Sequence, residues 1–264
     1  MATAQIGPNE INYVEQGEGF PLVLIHGLAG DHSAWNPQLE AWSAEHRVIA
    51  FDNRGAGQST QRDEAVTTED LARDTLALMD ELEVARAHLI GRSMGGAIAQ
   101  HVALAAQERV AGMVLCASFA KLDPIGYRVL TNMRQILEWR GSWADHARHS
   151  VPNFVSSRYY NENPEAVAAI EALIGGETRL PACYVAQNHA CLTHDTLHRL
   201  GEIQCPTLVL GGGDDAICSP TATKWLADGI PGAETMLFEG CSHFFLIEDQ
   251  ERFMDVVGRW LREH

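Results

Sequence analysis

An apolar run, Val84-Ala85-Arg86-Ala87-His88-Leu89-Ile90, enters Gly91-Arg92-Ser93-Met94-Gly95 and leaves at once as the small-residue stretch Gly96-Ala97-Ile98. A strand that must become a helix within so few residues has little choice of geometry. The serine at the tip is forced to unfavourable backbone angles, its neighbours must lack bulk, and Gly91, Gly95 and Gly96 supply that room. The helix that starts at Met94 also turns its unpaired amides and positive dipole end toward Ser93, where negative charge gathers in acyl transfer. Gly-x-Ser-x-Gly alone is equally consistent with a glycine-rich turn holding an ordinary serine. The strand before it and the helix after it favour a nucleophile.

A serine hydroxyl attacks weakly at neutral pH, so it needs a base and an acid that orients the base. Two later segments offer them. Pro206-Thr207-Leu208-Val209-Leu210 reads as a buried strand with a glycine-rich exit, Gly211-Gly212-Gly213, into Asp214-Asp215, of which Asp215 is taken as the orienting acid. Glu234 to Phe238 reads as another strand, and its exit loop Glu239-Gly240-Cys241-Ser242-His243 ends in the expected general base, His243. Strands of one parallel sheet open on a common edge, so three residues far apart in sequence can converge there.

The rest of the chain alternates strand and helix, with one interruption. A hairpin-like stretch near Ile11 to Val14 precedes strand Leu22–Ile25, a helix near 37–44, strand Val48–Phe51 and a loop containing Arg54. Thr67-x-x-Asp70 predicts a capping box for a helix with Leu71, Leu78, Met79 and Leu82 on its apolar face. The helix after Ser93 is expected to reach about Ala106, followed by strand Met113–Ala117. From about Leu122 to Arg199 only helical spacing appears, as at Val129, Leu130, Met133, Ile136 and Leu137. One helix there opens at Asn163-Pro164, with cap and first-turn proline, and closes near Gly175-Gly176. Two further βα units complete the sheet, with Phe253, Val256, Val257 and Trp260 of the last helix facing inward. The predicted class is α/β, a mostly parallel sheet flanked by helices. Residues 1–120 and 201–264 form its core and 121–200 an inserted helical cap over the strand ends.

In these features the chain resembles the α/β-hydrolases, specifically serine hydrolases with a small helical cap, along nearly its whole length. The family's strand-His-Gly pattern is matched by Leu22-Val23-Leu24-Ile25-His26-Gly27-Leu28, and its Asp-x-Arg-Gly-x-Gly-x-Ser pattern by Asp52-Asn53-Arg54-Gly55-Ala56-Gly57-Gln58-Ser59. Its acid motif matches Gly212-x-x-Asp215, which selects Asp215 over Asp214, and its base motif Gly240-Cys241-Ser242-His243-Phe244. The resemblance implies a catalytic triad of Ser93, Asp215 and His243 and an oxyanion hole made by the backbone amides of Leu28 and Met94. It also implies hydrolysis of a small carboxylic ester or lactone without a cofactor or metal. Within the family the chain is most similar to the 3-oxoadipate enol-lactonase and small carboxylesterase group. Ser93 stands where haloalkane dehalogenases carry Asp, which argues against that branch; Phe244 stands where carbon–carbon bond hydrolases of aromatic degradation usually carry Trp, which weakens that branch but leaves it as the alternative.

Other patterns compete with this reading. Cys191-x-x-His194-x-x-x-His198 puts two histidines four residues apart, as on the face of a zinc-binding helix, but no further ligand follows at such spacing. Gly211-x-Gly213-x-x-Ala216 after a strand mimics a dinucleotide fingerprint, yet Asp214 and Asp215 would lie where a pyrophosphate must sit. Gly55-x-Gly57 lacks the lysine of a phosphate loop. The same fold can also serve as a binding module with its triad idle. Tyr127, Trp139, Trp143, Phe154, Tyr159, Tyr160 and Tyr184, with Arg128, Arg134 and Arg140, read either as the packing of a small helical subdomain or as a substrate pocket. Arg92 reads as an orienter of a substrate acid or, by preference, as half of a structural salt bridge. A formal charge of −16 disfavours nucleic acid and anionic membranes as partners. The six cysteines show no disulfide or Cys-x-x-Cys spacing, no segment is apolar enough to span a membrane, and the first ten residues lack a secretory pattern. A cytoplasmic enzyme is expected, its partner a small-molecule ester or lactone, with homo-oligomerisation left open.

Overall fold

The computed structural model describes residues 1–264. Eight strands form one sheet: β1 (Ala2–Ile6), β2 (Asn9–Gln16), β3 (Phe20–Ile25), β4 (His46–Phe51), β5 (Ala87–Arg92), β6 (Val110–Cys116), β7 (Thr207–Gly212) and β8 (Glu234–Phe238). Their order is β1-β2-β4-β3-β5-β6-β7-β8. β1 and β2 form an antiparallel hairpin and β2 pairs antiparallel with β4; every other pairing is parallel. The strand order reverses between β3 and β5, so the loops after these two strands diverge and leave a crevice at their carboxyl ends. Ser93 follows β5 there, and the His26–Gly30 loop follows β3.

The central strands are apolar without alternation because both faces are covered, as parallel strands require. All residues of β5, β6 and β7 are buried. On one face Leu22, Leu24, Val48, Ala50, Ile90 and Val114 meet α1 (Asn36–Trp42) and the last helix of the chain. On the other Val23, Ile25, Ile49, Leu89, Met113 and Val209 meet α2 (Thr68–Glu81) and α3 (Met94–Ala105). The predicted capping box starts α2: Asp70 N–H donates to Thr67 Oγ1 at 3.1 Å and Thr67 N–H to Asp70 Oδ2 at 2.9 Å.

Between β6 and β7 come α4 (Pro124–Arg140), α5 (Trp143–Ser150), α6 (Ser157–Glu162), α7 (Pro164–Gly175) and α8 (Pro181–Thr193), then a 3-10 turn at Leu197–Glu202. A lone antiparallel bridge and an ion pair join Lys121 to Asp195, tying the start of this insertion to its end. α7 opens at the predicted proline, but Asn163 does not cap it; the amide of Asn163 donates back to Tyr159 O instead. α8 stops at Thr193 because His194 adopts extended backbone, so His194 and His198 share no helix face. His194 is buried and bonded to Thr68 Oγ1 at 2.8 Å, while His198 is exposed. The helix face on which a zinc site at this spacing would depend does not exist.

The chain closes with α9 (Pro220–Gly229), α10 (Phe245–Glu248) and α11 (Gln250–Glu263). Phe253, Val257, Trp260 and Leu261 of α11 are buried against the sheet, and Val256 is half-buried at the edge of that cluster. α9 begins five residues after Asp215, so no helix N-terminus meets the Gly211–Gly213 turn as a dinucleotide site demands. No helix is long and apolar enough to cross a membrane.

Candidate active site

Ser93 has φ 54° and ψ −121°, left-handed backbone that a residue with a Cβ adopts at a cost of about 1–3 kcal/mol. The packing around it enforces the turn. A Cβ on Gly95 would lie 2.0 Å from the carbonyl oxygen of Ile25, one on Gly91 2.4 Å from that of Gly95, and one on Gly96 2.4 Å from Ser118 Oγ. β3, β5 and α3 therefore meet backbone to backbone at this point. Ser93 N–H donates to Cys116 O at 2.8 Å and Ser118 Oγ to Ser93 O at 2.9 Å, which pins the strained residue from β6.

His243 and Asp215 are both buried, and Asp215 Oδ2 accepts from His243 Nδ1 at 2.8 Å. Asp215 Oδ1 accepts from the amides of Ile217 at 2.7 Å and Cys218 at 3.0 Å. Three donors fix the plane of this carboxylate, so it in turn fixes the ring of His243. The Asp214 side chain is exposed, and Asp214 bonds only through its backbone, donating N–H to Cys241 O at 2.9 Å and accepting at O from Ser242 Oγ at 3.3 Å. Ser93 and His243 line the same cavity of about 330 Å³, fourteen of whose 24 lining residues are apolar.

Two backbone amides are free of partners within the protein: Leu28 N–H, in the loop after β3, and Met94 N–H, the first of α3, where helix-opening amides have no partner inside the helix. Ala29, next to Leu28, is itself at φ 64°. Its amide donates to Gln187 Oε1 of α8 at 2.9 Å, and Gln187 Nε2 donates to Arg54 O at 2.7 Å. Asn53 Nδ2 adds a bond to His26 O at 2.9 Å. The Asp52–Ser59 segment thus acts as a brace: Asp52 gathers His32 N–H, Gln58 N–H and Asn12 Nδ2, and Gly57 is glycine because a Cβ would meet Asp52 Oδ2 at 2.2 Å.

The helical insertion forms the opposite wall. Trp143, Phe154 and Tyr184 line the cavity with Leu130, Met133 and His146, whereas Tyr127 and Trp139 are exposed and none of Arg128, Arg134 and Arg140 reaches it. Burial pushes the His146 ring down to about 4, and it donates from Nδ1 to Met133 O at 3.1 Å. The loop that carries His243 is tied to this wall at two points. Phe244 stacks on Phe154 with centroids 4.7 Å apart, and Glu248 accepts from Ser242 N–H at 2.8 Å and Ser156 N–H at 3.0 Å.

Arg92 departs from expectation. It is only 6% exposed, yet it forms no salt bridge with any carboxylate. Its guanidinium lies 4.1 Å over the Phe244 ring and donates from Nη1 to His26 Nε2 at 3.4 Å. The strand geometry explains the miss: Arg92 is the last residue of β5 and points to the crevice, where no acid stands free to meet it.

Two groups of side chains have metal-ligand chemistry, Asp215-Cys218-His243 and Asp31-His32-Asp52. In the first, Asp215 already satisfies three donors, and burial drives the Cys218 thiol well above its ordinary value, away from the thiolate that binds metal. In the second, the carboxylate of Asp52 is saturated by the brace just described.

A family model described as alpha/beta hydrolase fold matches residues 21–250. The chain is 30% identical over 257 residues to RutD of Azorhizobium caulinodans, described as a candidate carbamate hydrolase, covering 97% of each protein. Among solved structures, the enol-lactonase from Burkholderia xenovorans superposes with TM-score 0.90 at 28% identity, over 99% of this chain and 100% of that one. A thermophilic esterase from Thermogutta terrifontis, solved with malate bound, gives TM-score 0.88 at 28% identity, over 100% and 99% of the two chains.

Proposed function

The chain belongs to the alpha/beta hydrolase family, and on that premise we propose that it is a serine hydrolase that cleaves a small carboxylic ester or lactone through an acyl-enzyme. The observation that carries this reading is a buried His243, bonded to Asp215, that lines one cavity with Ser93, itself held in a strained turn. His243 Nε2 takes the proton as Ser93 Oγ attacks the carbonyl carbon. The carbonyl oxygen gains negative charge and accepts hydrogen bonds from Leu28 and Met94 N–H. Collapse expels the alkoxide, which takes the proton from His243. Water repeats the sequence on the acyl-serine, releasing the acid and restoring Ser93. Asp215 keeps Nδ1 protonated and stabilises the imidazolium.

In this reading residues 121–200 are a cap whose apolar wall selects the acyl group, and the enzyme works in the cytoplasm. The resemblance to RutD favours one variant of the reaction, in which the attacked carbonyl is that of a carbamate; the same groups serve it, with an amine as leaving group. A fluorophosphonate probe tests the assignment. Stoichiometric labelling of Ser93, abolished together with ester hydrolysis in Ser93→Ala, is expected. Labelling elsewhere overturns the nucleophile, and no labelling with intact folding points to a binding module.

A further inference from the structure

Arg92 carries a charge that the protein itself does not balance. Burial lowers its pKa only to about 10, so the guanidinium stays protonated at neutral pH. An unpaired buried cation is costly, and proteins normally provide it a carboxylate. Here the groups against it are neutral. His26 is pushed down to about 3, first by burial and then by Arg92 itself, so it offers a lone pair and no charge. Phe244 offers the face of its ring, which attracts the cation but occupies none of its N–H donors. Of five donors only Nη1 has a partner, the long bond to His26, and Nε and Nη2 have none.

The carboxylates nearby are committed elsewhere. Asp215 serves His243 and two amides. Asp31 and Glu177, which also line the cavity, are taken by Ser33 and by Arg179. Arg92 nevertheless lines the same cavity of about 330 Å³ as Ser93. One small molecule therefore reaches both side chains.

Building on the serine-hydrolase reading above, we propose that Arg92 binds a carboxylate of the substrate, and that the preferred substrate is a small ester or lactone whose acyl part carries a second, free carboxylate. The planar guanidinium, held flat on Phe244 with an edge of N–H groups uncovered, suits a two-point grip on such an anion. His26 and Phe244 set its plane: Gly30 must lack a Cβ because one would lie 1.6 Å from His26 Nδ1, and Phe244 is locked by its stack on Phe154.

The test compares monoethyl glutarate with ethyl pentanoate, matched in length and differing in the carboxylate, by pH-stat hydrolysis. It also compares glutarate with pentanoate binding to Ser93→Ala by calorimetry. The wild type is expected to favour monoethyl glutarate in kcat/KM, and Arg92→Met to lower that ratio by about ten- to a hundredfold. Arg92→Lys, which keeps the charge but not the fork, should lower it by less and serves if the methionine variant does not fold. Glutarate should bind Ser93→Ala more tightly than pentanoate, and the difference should vanish when Arg92 is also replaced. A ratio unchanged by either substitution, or equal binding of the two acids, overturns the proposal; equal losses on both esters mean that Arg92 only supports Phe244 and His26. If neither ester is cleaved, Arg92-dependent glutarate binding sustains the anion site while the hydrolase reading falls. Cleavage through Ser93 without any preference for the anion does the reverse.

Discussion

At the scale of single residues, the site depends on which of two adjacent acids faces inward. Neighbouring residues in an exit loop point to different sides, and Asp215 is 3% exposed on His243 while Asp214 is in solvent. Asp215→Asn replaces an acceptor with a donor at Nδ1 and favours the wrong tautomer, so kcat should fall by up to about 10⁴. Asp214→Asn should change kcat less than about threefold, since it alters one exposed charge far from the reacting atoms. Steady-state rates on one ester decide the matter; comparable losses in the two variants would contradict the geometry. The elbow glycines make a separate prediction. Gly95→Ala drives a methyl into Ile25 O, backbone that cannot move without displacing β3, and should destabilise by about 1–3 kcal/mol or more in urea unfolding. The elbow glycines were legible in the sequence because their identities follow from local chemistry: a tight turn needs glycine wherever it falls. Arg92 was not, since whether a charge finds a partner depends on what the other strands bring to the crevice.

At the scale of elements, α8 does more than cover the cavity. Gln187 bonds at once to Ala29 in the loop after β3 and to Arg54 in the brace, and it is 1% exposed. Gln187→Ala should free the Leu28–Ala29 peptide to rotate away from the proposed oxyanion position. The expected effect is a fall in kcat of about tenfold or more with KM little changed, because the loss falls on a transition-state contact. A rise in KM alone would show that Gln187 shapes the pocket instead. Nothing in the sequence around Gln187 marks it, for a glutamine on an apolar helix has no motif and its partners lie 133 and 158 residues away. Helix and strand positions themselves were readable where burial is periodic or continuous, as in β5, α2 and α11. They failed at α8, where His194 leaves the helix to bond Thr68 and Thr196 in a buried cluster that outweighs local helical preference.

At the scale of the whole molecule, burial of neutral histidines couples stability to acid. Burial is the first cause in each case, lowering His26 and His194 to about 3 and His88 and His146 to about 4 from an ordinary 6.5. Native histidines that refuse protons leave the fold fully favoured above about pH 6.5. As pH drops, the unfolded chain gains protons the native chain does not, and each such group should remove about 1.4 kcal/mol of stability per pH unit down to its native value. Urea unfolding at pH 7, 6 and 5 should therefore show a steep loss that a His146→Gln variant reduces by one histidine's share; a flat profile would contradict it. The sequence by itself determined the strands of the sheet and the turn at Ser93, because apolar runs and glycines are local and carry their own physical reason, and the pairing of Asp215 with His243 followed from motifs at two strand ends. Only the tertiary structure decided that Leu28 keeps a free amide, that Gln187 braces its loop, and that Arg92 meets no acid. Each of these turns on whether a polar group finds a partner from a distant part of the chain, and that is settled by packing, not by the residue or its neighbours.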